Sequence, residues 1–157
     1  MRLVAITAAI VVAGGAFAQE VAPTDVSYGE YGAVEASLSG APGNAEAGAE
    51  VMSQRSLGNC VACHQVSALG DVPFQGEVGP SLDGAGSRWE EADLRGIVAN
   101  AKMTFPESVM PAFYKSEGFI RPGDAFTGKA GTEPLPPLLT AQQVEDVVAF
   151  LMTLKDE

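Results

Sequence analysis

Cys60-Val61-Ala62-Cys63-His64 is the stretch that decides how this chain is read. C-x-x-C-H is the attachment signal for a c-type haem. Two thiols three positions apart can reach the two vinyl groups on one edge of a porphyrin, and each can form a thioether. The histidine that follows at once is then held beneath the ring, where its imidazole can bind the iron. Covalent attachment keeps the haem in an exported protein that would otherwise lose it. Cys60 and Cys63 are therefore expected to carry the haem, and His64 to be an axial iron ligand.

The pentapeptide holds both cysteines and the one histidine of the 157 residues. Two cysteines exclude a disulfide-rich scaffold and a zinc site with four cysteine ligands. One histidine excludes a metal centre built on two or three. Other readings of the motif are weaker. A thioredoxin-like C-x-x-C would sit near a βαβ unit, and none is visible. A zinc site would have to draw its further ligands from carboxylates. A disulfide across the motif leaves His64 unexplained.

The sixth iron ligand cannot be histidine. Methionine is its common partner in electron-transfer haem proteins. Met52 and Met152 fall in predicted helices, where methionine is a common gap-filler of the core. Met103 and Met110 lie in a long loop. Met110 is favoured over Met103, because Pro111 follows it, removes a backbone donor and stiffens the loop. The bland alternative is a Met110 that only packs on the haem edge. A thioether is neutral and soft, so it stabilises Fe(II) and raises the reduction potential. With both axial positions filled, electron transfer is favoured over chemistry at the metal.

The N-terminus reads as an address. Arg2 is the one charge before Glu20, and Leu3 to Phe17 is an apolar run of fifteen residues. A bilayer-spanning helix needs about 20. The run ends in Ala16-Phe17-Ala18, a small-x-small cleavage site, so residues 1–18 are expected to be a signal peptide cleaved after Ala18. A retained membrane anchor is the alternative. The mature chain would lose Arg2, leaving eight basic residues against twenty acidic ones, a net charge of −12 in place of −11. Such a balance excludes a phosphate-backbone binder. The expected product is soluble and exported to the periplasm.

Residues 19–43 are rich in Ala, Gly, Ser and Pro and show no helical period. They are expected to form an extended arm, mobile unless a partner pins it. The remainder, 44–157, forms one domain. Asn44 can cap a helix over Ala45 to Gly58, with Glu46 and Glu50 near its positive end. Ser87 and Glu90 form a capping box for a helix from Glu90 to Ala101, with Leu94, Ile97, Val98 and Ala101 on one face. Thr140 and Gln143 form another box. Val144, Val147, Val148 and Leu151 then recur at helical spacing, and Leu154 extends the stripe. Residues 65–86 and 102–139 hold many Gly and Pro and show neither period. Three short helices bury little apolar surface, so a haem is expected to fill the core and organise these loops.

The order of these parts resembles the class I cytochrome c family. A helix precedes C-x-x-C-H, then come Gly79-Pro80-Ser81-Leu82, the Met-Pro loop and a C-terminal helix. The resemblance implies a mainly α fold of short helices and long loops around one covalent haem c. It also implies that the Pro80 carbonyl accepts a hydrogen bond from His64 and fixes its ring. Within the class, the chain is more similar to the SoxX family, the monohaem subunits of SoxAX cytochromes of thiosulfate oxidation. Gly58 to Gln65, Gly76 to Gly84, Leu94 to Val98, Met110 to Tyr114 and Leu139 to Leu151 carry that similarity, which spans roughly 44–155. Gly128 to Pro137 departs from the family pattern.

The SoxX resemblance implies a heterodimer with SoxA, which joins thiosulfate oxidatively to a cysteine of the SoxYZ carrier. The haem on this chain would accept the electrons and relay them to a soluble cytochrome c. The catalytic cysteine would belong to SoxA. That agrees with a chain whose two cysteines are committed to haem, and no catalytic residue is expected here. A net charge of −12 is a poor place to concentrate an anion and suits docking on a basic partner, or simple solubility. Two other functions are open. One is a free-standing periplasmic class I cytochrome c carrier. The other is a haem enzyme or gas sensor with an open iron site.

Overall fold

A computed structural model of the chain describes residues 19–120, 122–123 and 128–156. The expected signal peptide, residues 1–18, lies outside them. Four α-helices are present: α1 Ala45–Ser53, α2 Ala85–Arg88, α3 Glu91–Asn100 and α4 Ala141–Leu151. Single 3-10 turns stand at Pro23–Asp25, Cys60–Ala62, Ser67–Leu69 and Ala101–Met103. Among the described residues there is no strand, only an isolated bridge between Gly123 and Ala130.

Three of the four helices, α1, α3 and α4, begin where side chains satisfy free N–H groups. The Asn44 side chain accepts from Ala47 N at 2.9 Å and starts α1. Thr140 and Gln143 close the expected reciprocal box on α4, with Gln143 N to Thr140 Oγ1 at 3.2 Å and Thr140 N to Gln143 Oε1 at 2.9 Å. Two boundaries differ from expectation. α1 stops at Ser53 rather than Gly58, because Gly58 N and Asn59 N turn back onto the Val51 carbonyl. The cap of α3 is Glu90 with Asp93, not Ser87 with Glu90. Ser87 lies inside α2, and its hydroxyl accepts from Asp156 N at 2.9 Å.

α1 and α4 cross in close contact. Gly48 of α1 rests on the backbone of Asp146 of α4, so near that a Cβ there would lie 1.9 Å from the Asp146 carbonyl oxygen. The core around this crossing includes Val51, Met52, Leu94, Val98, Val144, Val147, Val148 and Leu151. Leu154 is buried past the end of α4, as the stripe requires.

The 19–43 segment is extended and packs against the rest of the domain. Val34 and Leu38 are almost fully buried in the core. Val34 N donates to Ala92 O at 2.9 Å, and Leu38 N donates to Glu145 Oε1 at 2.6 Å. Glu145 in turn pairs with Arg95 of α3, whose Nη1 donates to Val34 O at 2.9 Å. All three groups are shielded from water, so the pairing is needed to offset their desolvation. Burial alone would favour a neutral guanidine; Glu145 and Glu91 outweigh it and hold the Arg95 pKa above its ordinary value. Side chains more than fifty residues away in sequence thus pin a segment that has no period of its own.

Candidate functional site

The C-x-x-C-H pentapeptide forms one helical turn at the end of the α1 loop. Asn59 enters it with φ 48, a left-handed conformation that reverses the chain. Cys63 N and His64 N both donate to the Cys60 carbonyl, at 3.1 and 3.0 Å. One turn brings residues i and i+3 to the same side, so Cys60 and Cys63 share a face. Both are free thiols. Burial is the main cause that pushes the Cys60 thiol up to about 11. It is therefore protonated at neutral pH and is not a ready nucleophile.

Residues 76–82 run alongside this turn and hold His64. Gly76 N donates to Val61 O at 2.8 Å, Gly79 N to Cys63 O at 2.7 Å and Leu82 N to Gln65 O at 2.9 Å. Gln75 braces the adjoining turn, accepting from Val66 N at 2.6 Å and donating to Leu69 O at 2.8 Å. The Pro80 carbonyl lies 2.7 Å from His64 Nδ1. A carbonyl can only accept, so Nδ1 is the donor, and in the neutral ring the lone pair lies on Nε2. His64 Nε2 has no hydrogen-bond partner among the described residues. Such an imidazole is oriented and electronically ready to bind a metal through Nε2.

Gly79 makes that orientation possible. A Cβ on it would lie 2.2 Å from His64 Cε1 and 2.6 Å from Nδ1. Gly79→Ala is expected to push the ring off Pro80, lower the yield of haem-loaded protein and shift the electron paramagnetic resonance signal of the oxidised haem. Gly29→Ala, where a Cβ meets only ordinary contact at 3.5 Å, should change neither. A normal yield and signal for Gly79→Ala would show that the glycine is dispensable.

The methionines separate by environment. Met52 is fully buried in the core, and Met152 is half-buried beside it. Met103 ends a 3-10 turn and is 46% exposed. Met110 is half-buried against the core, with Ser108 Oγ accepting its N–H at 3.1 Å and Lys102 Nζ donating to its carbonyl at 2.9 Å. No group of three or more His, Cys, Asp or Glu among the described residues converges to hold a bare metal ion, so the zinc alternative gains no support. The donors fit a haem c: two thiols on one face of a turn, an imidazole with a free Nε2, and a soft thioether on a loop.

Sequence reading alone did not identify the Arg95–Glu145 pair, Gln75 or Tyr114 as holding these parts. Arg95 did leave a signal. It stands between Leu94 and Gly96 in an amphipathic helix, with Glu91 one turn before it.

The cytochrome c family matches residues 45–155. One chain of the crystal structure of SoxXA from P. pantotrophus is 67% identical and superposes with a TM-score of 0.84, covering 88% of this chain and 100% of its own length. Among curated proteins, no sequence matches. The family's residues thus coincide with the helices and the C-x-x-C-H turn just described, and the chain belongs to the cytochrome c family.

Proposed function

We propose that this chain is the haem electron-transfer subunit of a SoxAX complex, paired with SoxA. The observation that carries this is the similarity to a SoxXA chain over that chain's entire length at 67% identity. Cys60 and Cys63 would hold the haem as thioethers, and His64 through Nε2 and Met110 through its sulfur would ligate its iron. Bound there, haem c supplies a one-electron Fe(III)/Fe(II) couple. Pro80 keeps the proton on His64 Nδ1 and so keeps Nε2 available. Lys102 and Ser108 hold the Met110 backbone in the loop.

The partner reaction assigned here is oxidative joining of thiosulfate to a SoxYZ carrier cysteine, with electrons leaving through this chain to a soluble cytochrome c. The nucleophilic thiol belongs to the partner, since neither cysteine here is available for it. The acidic surface suits docking on basic partner surfaces. We place the complex in the periplasm, after cleavage behind Ala18. No helix among the described residues is long and apolar enough to cross a membrane.

Purification from the native host tests the reading. A co-eluting haem polypeptide, with haem reduction that requires both thiosulfate and the carrier protein, supports it. A monomer active only in electron exchange would point to the free-standing carrier instead. The ligand assignment has its own test. Met110→Ala is expected to abolish the sulfur-to-iron charge-transfer absorption and to let the reduced haem bind carbon monoxide. An unchanged oxidised spectrum would remove Met110 from the iron.

A further inference from the structure

We propose that Tyr114 is a positioning residue for the iron's sixth ligand: it ties the Met110 loop to the 19–43 segment, which acts as a strap across that loop. The inference rests on the reading of Met110 as that ligand.

The strap grips the loop on both sides of Met110. Before it, Gly32 lies against residues 103–104 so closely that a Cβ would stand 2.9 Å from the Met103 carbonyl carbon and also meet Thr104 Oγ1. Its φ of +86 places it in the left-handed region, which favours glycine. After Met110, the buried Tyr114 donates its hydroxyl proton to the Val21 carbonyl at 2.7 Å, with Glu20 Oε1 at 3.4 Å. Burial first, and then Glu20, push the Tyr114 hydroxyl up to about 12, so it remains a donor at working pH.

The strap itself is firmly held. Val21 N donates to Leu38 O at 2.8 Å, and Leu38 N to Glu145 Oε1 at 2.6 Å. A chain of hydrogen bonds therefore runs from Tyr114 through Val21 and Leu38 to the buried pair between α3 and α4. The loop needs such an outside anchor. Its residues from Thr104 to Thr140 contain no helix among those described, and the Lys102 contact to Met110 is exposed. Its other ties near Met110 include the packing of Met110 and Phe113 on the core, the Ser108 hydroxyl, and two backbone bonds, Tyr114 N to Ala99 O and Leu139 N to Phe113 O, each 3.0 Å. An open loop would leave the iron's sixth position to any other ligand, so the strap sets how often the methionine lets go.

Imidazole, which competes for that position, reads this directly. In oxidised holoprotein, Tyr114→Phe keeps the ring and its packing but leaves the Val21 carbonyl without its donor. Its apparent affinity for imidazole, followed by loss of the sulfur-to-iron band, should rise about tenfold as the open population rises. Val147→Ala destabilises the α4 core without removing any hydrogen bond of the strap and should leave imidazole affinity unchanged. A Tyr114→Phe titration like wild type, or an equal rise in Val147→Ala, would overturn the proposal. By reciprocity, saturating imidazole should speed hydrogen exchange in residues 20–38 of the wild-type holoprotein. Unchanged exchange there also overturns it, even if Tyr114→Phe fails to mature. If Met110→Ala keeps the band, the ligand reading fails. If it loses the band while Tyr114→Phe binds imidazole normally, only the strap fails.

Discussion

Arg95→Met is expected to destabilise the folded protein by about 3–5 kcal/mol, the range for breaking a buried ion pair by removing one partner. The Glu145 carboxylate would stay behind the arm with no cation beside it, and both residues are only 4% exposed. Arg95 Nε reaches Glu145 Oε1 at 3.0 Å and Oε2 at 3.1 Å, its Nη1 holds Val34 O, and its Nη2 pairs with Glu91. A whole domain is stable by only about 5–15 kcal/mol, so the loss would leave the fold marginal. Arg95→Lys should recover little, because one ammonium cannot serve three partners that match a guanidinium fork. Arg95→Met with Glu145→Leu should recover much of the loss, since no buried charge remains. It should not recover all, because Leu38 N and Val34 O lose their partners. Denaturant midpoints of the four holoproteins, followed by haem absorbance and far-ultraviolet circular dichroism, measure this. An Arg95→Met midpoint equal to wild type would show that the cluster adds no stability.

That cluster also marks where sequence reading stopped. Local signals were legible because local physics sets them. The α4 box between Thr140 and Gln143 and the stripe from Val144 to Leu151 lie within one short helix, and both stand as expected. The haem class was legible because thioether chemistry fixes the spacing of Cys60 and Cys63 and the place of His64. Non-local effects were not. α1 ends early because its Val51 carbonyl collects Gly58 and Asn59, a turn that positions Cys60. The α3 cap moved because Ser87 is engaged by Asp156, sixty-nine residues on. The 19–43 segment carries no period and reads as loose, yet Glu145 and Arg95 hold it. Glu145 and Asp146 sit on what looks like the polar side of α4. They are buried because they accept backbone N–H groups of Leu38 and Asn44. Composition cannot reveal a side chain whose partner is the backbone of a distant loop.

Gly48→Val is expected to prevent accumulation of haem-loaded protein altogether. The obstacle is geometric. A Cβ on Gly48 would meet the Asp146 carbonyl oxygen at 1.9 Å, its carbon at 2.5 Å and the Phe150 Cβ at 2.9 Å. Two of these three atoms are backbone of a capped helix, so no side chain can swing aside to relieve them. Only separation of α1 from α4 would make room. That separation would expose Val51 and Met52 on one helix and Val144, Val147 and Val148 on the other, all 4% exposed or less. Overpacking a tight core ordinarily costs about 1–3 kcal/mol and occasionally more. Here the intruding branched side chain enters a helix–helix contact that admits no Cβ at all. The same opening would pull on the Asn44 N to Asp146 Oδ1 bond of 2.8 Å that sets the start of α1. Since α1 leads into the C-x-x-C-H turn, the site itself would lose its support. Glu50→Val places the same side chain at an exposed position of the same helix. It should cost only the modest helix penalty of a branched residue, well under 1 kcal/mol, and load haem normally. Haem staining and absorbance of cell extracts separate the two variants, and normal loading of Gly48→Val would refute the close crossing.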